Sequence, residues 1–347
     1  MKIESVSKNS SLSSLYPLLA VLAGIIIVDS FLIEGLFRIE LKQGILFGIL
    51  IDIINLGAPI IIMALAMTFI IAQDGIDLSV AGVLHMSMAI CAALIQDYPD
   101  MSIFLYILIP ILAAIAAGAV NGFLIAIIRV QALMATLIVM TITAGVGVLI
   151  GLGGKVGARS SIADHEGFSF IGQGSLFTIP FPVILAIVFT AIVVLTTRKT
   201  ALGLFIKASG ANETAARYMG INVKGITFGI YVFSAILACI GGLIYLADVG
   251  AVIFYTIDFS IDLDVIACVF IGGTIGGGKY SLIGTVIGAI FLQLLSSTVY
   301  TLGLPLSFID VFRALLIILV IVLQAPQVQQ FVRKMAMGRE KRENESV

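Results

Sequence analysis

Hydrophobic and polar positions along this chain fall into long blocks, with little short-period alternation. Ten apolar runs stand near 16–33, 50–72, 78–95, 101–127, 132–151, 178–196, 227–247, 263–277, 282–300 and 309–325. A membrane span needs roughly 20 apolar residues, so the pattern predicts an all-α, polytopic membrane protein of about ten transmembrane helices. The second run extends back toward Gly44, too far for one straight crossing, and Pro59 inside it predicts a kinked or broken helix. The runs divide the chain into a polar segment 1–15, a transmembrane domain 16–325 and a basic tail 326–347. The longest polar connector that carries basic charge is 197–226. No small-residue cleavage site follows the first run, which is therefore read as a retained helix.

Composition agrees with this pattern. Of 347 residues, 60% are hydrophobic and 11% charged, against about 25% charged in soluble domains. The net charge of -1 gives no reason to expect nucleic acid. Cys91, Cys239 and Cys268 lie inside apolar runs without CxxC spacing, so neither a disulfide nor a metal framework is expected.

The distribution of basic residues orients the chain. Ten crossings place both termini on one side. That side holds fourteen Lys and Arg, among them Arg129, the 197–226 connector's residues, Lys279 and the tail. The opposite connectors hold four: Arg38, Lys42, Lys155 and Arg159. The positive-inside rule then puts both termini and the 197–226 connector in the cytoplasm, as expected of a multi-pass membrane protein.

Small residues recur at four-residue spacing, Gly118 with Gly122 and Gly284 with Gly288. Such pairs let helices approach closely in lipid, within one subunit or at a seam between subunits. Residues 76–80, Ile-Asp-Leu-Ser-Val, open the third span, and 261–265, Ile-Asp-Leu-Asp-Val, open the eighth. The two lie on opposite sides of this topology, which fits an inverted repeat matching spans two to five with seven to ten.

Residues 273–280, Gly-Thr-Ile-Gly-Gly-Gly-Lys-Tyr, nearly spell a phosphate-binding loop. That motif needs Ser or Thr directly after the lysine to hold magnesium, and Tyr280 stands there. A turn between close-packed helices is the expectation. In residues 73–80, Asp77 reads as an N-cap of the third span, with Asp74 in the loop. The alternative places both at a gate, because ionisable groups within membranes tend to be functional. His85 and His165 stand apart from any ligand cluster. Polar groups inside or beside spans, including Asn55, Ser79 and Asn121, suit a path for a neutral solute or hydrogen bonds between helices.

The 197–226 connector contains an ordered block. Asn212 fits an N-cap, Glu213 favours the helix dipole, and Glu213 and Arg217 stand i,i+4 apart. Gly220 fits a C′ stop. The predicted helix has about eight residues, some 12 Å, too short to persist alone in water. Ala215, Tyr218 and Met219 give it a small apolar face, so it needs a docking surface.

Residues 210–223, followed by 231–235 and Gly241-Gly242, resemble the cytoplasmic coupling region of ribose-type sugar ABC importer permeases. Residues 74–80 resemble the Gly-Gly-Ile-Asp-Leu-Ser-Val-Gly signature of the same family, departing from it at Asp74 and Ala81. Residues 271–274 and Gly277-Gly278 match its later Gly-rich turn. The resemblance runs in order from about 45 to 325. Residues 47–55 and 197–205 look most like the family's galactofuranose-transporting branch.

The resemblance implies a type II importer architecture like that of the vitamin B12 permease. It also implies a cytoplasmic ABC ATPase partner that carries ATP and magnesium, a second permease subunit and an external substrate-binding protein. Asn212, Glu213, Ala215, Ala216 and Arg217, with Met219 and Gly220, would form the ATPase-coupling helix. Asp74, Asp77, Ser79, Asn121 and Asn55 are expected at a gate or pathway. No cofactor or metal is expected on this chain, and it is not expected to be an enzyme. The alternatives are an ABC permease for a non-sugar solute such as a nucleoside or signalling furanose, an ion-coupled secondary transporter using Asp29, Asp52 or Asp77, and a non-transporting scaffold.

Overall fold

Apolar segments without water must satisfy every backbone group internally, and the long runs here do so as helices. The computed structural model describes residues 16–303 apart from residue 34 and segments 43–44, 154–158, 162–165 and 254–258. Beyond these it describes only scattered positions between 308 and 322. The helices are α1 (Tyr16–Leu32), α2 (Ile49–Ala72), α3 (Val80–Asp97), α4 (Ile103–Gly122), α5 (Ala132–Gly153) and α6 (Glu166–Gln173). They continue as α7 (Phe181–Lys199), α8 (Leu202–Ala211), α9 (Glu213–Tyr218), α10 (Val223–Val249), α11 (Ser260–Ile271) and α12 (Leu282–Thr301). Three short antiparallel pairings close the connectors: β1 (Glu40–Lys42) with β2 (Ile45–Phe47), β3 (Arg159–Ser161) with β6 (Ala251–Ile253), and β4 (Ser175–Leu176) with β5 (Ile179–Pro180).

Among the described residues, seven helices are long and apolar enough to cross a membrane. The first run forms α1, a helix of 17 residues. The eighth forms α11, only 12 residues and about 18 Å long. The tenth lies largely outside the described residues, as do His165, residues 1–15 and the tail. The second run is neither broken nor overlong. Residues 45–47 pair as β2, and α2 runs unbroken through Pro59. Gly48 makes the corner between them, where a Cβ would stand 2.6 Å from the Arg38 carbonyl oxygen.

α10 is the innermost helix, with Leu237, Ala238 and Cys239 fully buried. α4 reaches its backbone through the glycine pair, for a Cβ on Gly118 would stand 2.8 Å from Val232 Cα, and one on Gly122 would stand 3.0 Å from Phe228 Cα. The second pair closes α12 on α11, with Gly288 against the Cys268 carbonyl and Gly284 against Gly272. Both pairs pack helices of this one chain together.

Candidate functional site

The connector after α2 dips into the bundle, and a polar junction forms there. Asp77 is buried. Its Oδ1 accepts from the Ser79 N–H at 2.9 Å and the Ser79 hydroxyl at 2.6 Å. Its Oδ2 accepts from the Ser234 hydroxyl of α10 at 2.8 Å. Asn121 of α4 donates to Ser79 Oγ at 2.8 Å. Ser234 lies eleven residues into α10, so the junction sits about 16 Å along that helix from its start.

Asp77 is not the N-cap of α3. Ser79 holds that position without a side-chain cap bond, because the Asp77 carboxylate is already taken by Ser79 and Ser234. Asp262 of α11 supplies the cap from across the bundle, its Oδ1 accepting the Ala81 N–H at 2.8 Å. The two Ile-Asp-Leu segments thus lie against each other. α11 leads from here to the Gly-rich turn 272–281.

Asp74 stands apart from this junction. It adopts φ 58°, a left-handed conformation that Asp tolerates better than most side chains. Its Oδ1 accepts the Gly277 N–H at 2.9 Å, and the Ala72 carbonyl accepts the Gly278 N–H at 2.9 Å. The end of α2 is thereby tied to the Gly-rich turn. Asn55 lies 18 residues before Gln73 on α2, about 27 Å away, and joins neither group.

The 200–223 block docks beside this tie. It contains two helices, α8 and the six-residue α9, where one helix of about eight residues was expected. The extra order comes from burial of Ile206 and Ser209 on α8. Asn212 caps α9, accepting the Ala215 N–H at 2.9 Å. At the far end Gly220, φ 82°, donates to Arg217 O, and Ile221 donates to Ala216 O. These are the paired bonds of a Schellman stop. Glu213 pairs with Arg217, and Arg129 adds a second ion pair to Glu213 at 3.4 Å.

α8 is held to the bundle at three places. Gln73 Nε2 donates to Ser209 Oγ at 2.7 Å, while Gln73 Oε1 accepts from the Thr227 hydroxyl of α10 at 3.1 Å. Gly210 meets Gly278 so closely that a Cβ on Gly278 would stand 2.2 Å from the Lys207 carbonyl oxygen. The Lys207 ammonium lies 5.3 Å from the ring centre of Tyr280, and that ring packs edge-on against Phe69. Tyr280 therefore uses the position after Lys279 for packing, and the loop is the expected turn between helices. On α9, Ala216 is buried beneath the helix, while Tyr218 is 89% and Met219 70% exposed.

The sequence reading did not single out Asp262, Ser234 or Gln73. The repeat of Ile-Asp-Leu at 76–78 and 261–263 was the available signal for Asp262. Gln73 and Ser234 carried none, because their partners are 136 and 157 residues away in sequence.

A family profile described as "Branched-chain amino acid transport system / permease component" matches residues 49–321. The galactofuranose transporter permease of Escherichia coli K12 is 36% identical over 91% of this chain and 90% of its own length. The fructose import permease of Bifidobacterium longum is 35% identical over 86% of this chain and 83% of its own. The ribose import permease of Haemophilus influenzae is 35% identical over 76% of this chain and 80% of its own. A solved inward-facing ABC transporter of the metal-chelate type covers 94% of this chain at 15% identity and a TM-score of 0.48, too loose an overlay to assign any residue a role.

Proposed function

Because the chain belongs to the branched-chain amino acid transport system permease component family, we propose that it is the membrane permease subunit of an ABC importer for a monosaccharide. The relatives named for galactofuranose, fructose and ribose support a sugar, and one with a furanose form. ATP is hydrolysed on a separate cytoplasmic ATPase. A second permease subunit completes the path, and an external binding protein delivers the sugar.

The observation that carries the mechanism is the contrast between the two helices of the 200–223 block. α9 offers Tyr218 and Met219 outward, as a docking helix must, since rigid exposed aromatics make good binding anchors. α8 is bound to Gln73 at the end of α2 and to the Gly-rich turn, and Gln73 in turn accepts from Thr227 of α10. ATP-driven closure of the partner would push on α9, and α8 would pass that displacement to the ends of α2 and α11. The surplus of Lys and Arg in the connectors of this side supports a cytoplasmic position for the block. The Asp77–Ser79–Asn121 junction, where two helices start inside the bundle, is the pathway end of the same linkage.

Uptake of labelled galactose, fructose and ribose into vesicles tests this reading. The vesicles hold the chain with its ATPase and binding protein. Uptake should require ATP and survive collapse of proton and sodium gradients. Uptake that follows an ion gradient and needs no ATPase would instead make Asp29, Asp52 or Asp77 the coupling site of a secondary transporter.

A further inference from the structure

Between the docking block and the bundle lies a cavity of about 490 Å³, within the range of roughly 300–1,000 Å³ typical of small-molecule sites. Gln73 from the end of α2, Arg129 just after the π-helical turn Phe123–Ile128 that continues α4, Ser209 from α8, and Lys224, Thr227 and Tyr231 from α10 line it. Amide, hydroxyl and cationic groups thus converge on one space from four parts of the fold, beside the carboxylates of Asp74, bound to Gly277, and Glu213, paired with Arg217 and Arg129.

One of these groups, Tyr231, lacks the partner that a buried hydroxyl favours, and a second, Lys224, is an exposed cation at the cavity's rim. Tyr231 is 3% exposed. Its hydroxyl lies against Gly75, also in the cavity wall, where a Cβ would stand 2.8 Å away. It makes no hydrogen bond to any described residue, although buried tyrosine hydroxyls usually find a partner. Lys224 sits in the first turn of α10, where a cation opposes the helix dipole. Arg129 is engaged by Glu213, but Lys224 has no ion pair among the described residues. A hydroxylated ligand satisfies the first group, and a negative substituent on it satisfies the second.

We propose that this cavity binds a polyhydroxylated ring of monosaccharide size from the cytoplasm, either the imported sugar or its phosphate ester. Only the choice of side rests on the import reading. Part of the lining, Ser209 and Asn212, belongs to the docking block, and another part, Thr227 and Tyr231, belongs to α10. A ligand bridging the two parts fastens together elements that the ATPase must move. Bound sugar therefore slows import as the cytoplasm fills.

The test begins with the purified full-length chain in detergent. Its thermal midpoint is followed against rising galactose, fructose, ribose and ribose 5-phosphate, with glycerol as control. A ligand that binds only the folded chain raises the midpoint saturably. At least one ring compound should do so, and glycerol should not. Tyr231→Phe should raise the half-saturating concentration roughly tenfold, the loss of about one hydrogen bond. Lys224→Gln should weaken ribose 5-phosphate and spare the free sugars if the ester is the ligand, and should change neither if the free sugar is. No saturable shift with any ring compound would overturn the site, as would a shift that Tyr231→Phe leaves unchanged.

In vesicles, the same compound on the ATPase side should slow ATP-driven uptake in the parent protein and much less in Tyr231→Phe. If no ATP-driven uptake is seen while the midpoint shift persists, the import reading fails and the site stands. If uptake proceeds and the shift is missing, the site alone fails.

Discussion

Asp262 caps the first turn of α3, its carboxylate accepting the Ala81 N–H at 2.8 Å across 181 residues of sequence. The bond joins the starts of α3 and α11 inside the bundle. Asp262→Ala leaves that buried N–H without its acceptor and should cost about 1–2 kcal/mol. Asp262→Asn keeps an acceptor oxygen and should lose less. Thermal unfolding of the two purified variants beside the parent checks the order.

Gly277 and Gly278 separate two costs of adding a methyl group. Both have positive φ, 62° and 77°. A Cβ on Gly277 would meet nothing within 4 Å, whereas one on Gly278 would strike the Lys207 carbonyl. Gly277→Ala should cost about 1 kcal/mol, the conformational penalty alone. Gly278→Ala should add an overpacking penalty of about 1–3 kcal/mol and loosen α8. Limited proteolysis within 200–223 would reveal the loosening.

Asp74 stands where the resembled family has glycine, and its geometry accounts for the difference. The left-handed φ of 58° is what a glycine supplies freely, and Asp adds a bond to Gly277. Asp74→Gly should therefore lose only about 1 kcal/mol. Asp74→Val loses the same bond and also meets the strain of a β-branched residue at positive φ, so it should be clearly the less stable by thermal midpoint.

Tyr218 and Met219 add little to the fold, being exposed. Replacing both by alanine should leave the thermal midpoint nearly unchanged, as for surface substitutions within about 0.5 kcal/mol. ATPase co-purification and ATP-driven uptake should fall at least roughly tenfold if these side chains anchor the partner. Intact co-purification would remove the docking role of α9.

Glu213→Lys and Arg217→Glu each replace the i,i+4 ion pair with a like-charge pair. Such pairs are worth about 0.2–0.5 kcal/mol in a helix, so both variants should insert and fold. Both should bind the ATPase more weakly in a pull-down. The double exchange, Glu213→Arg with Arg217→Glu, restores the internal pair and leaves the docking face reversed, so it should not recover binding.

The all-α, many-span character was readable because lipid leaves the backbone few choices, and the apolar runs mark the helices within a few residues. Asn212, Glu213, Arg217 and Gly220 were readable because caps, i,i+4 pairs and stops are local. The run at 263–277 was misjudged in length, since its glycines extend the apolar pattern after the helix has ended at Ile271. Asp77 was misplaced as a cap for a related reason. Its carboxylate is taken by Ser79 nearby and by Ser234, 157 residues away, and its replacement as cap, Asp262, is 181 residues from the N–H it accepts. Local spacing cannot weigh partners that only the tertiary fold brings within reach.

The division of labour between α8 and α9 bears on how such subunits could be exchanged between importers. The contacts that hold the block lie in Gln73, Ser209, Gly210 and Gly278, whereas the outward side chains belong to a six-residue helix closed at both ends by its own cap and stop. If α9 is the coupling helix, as proposed, the choice of ATPase rests on a short cassette separable from the contacts that hold the block. Transplanting residues 213–219 from another permease should redirect this chain to that permease's ATPase without rebuilding its transmembrane core.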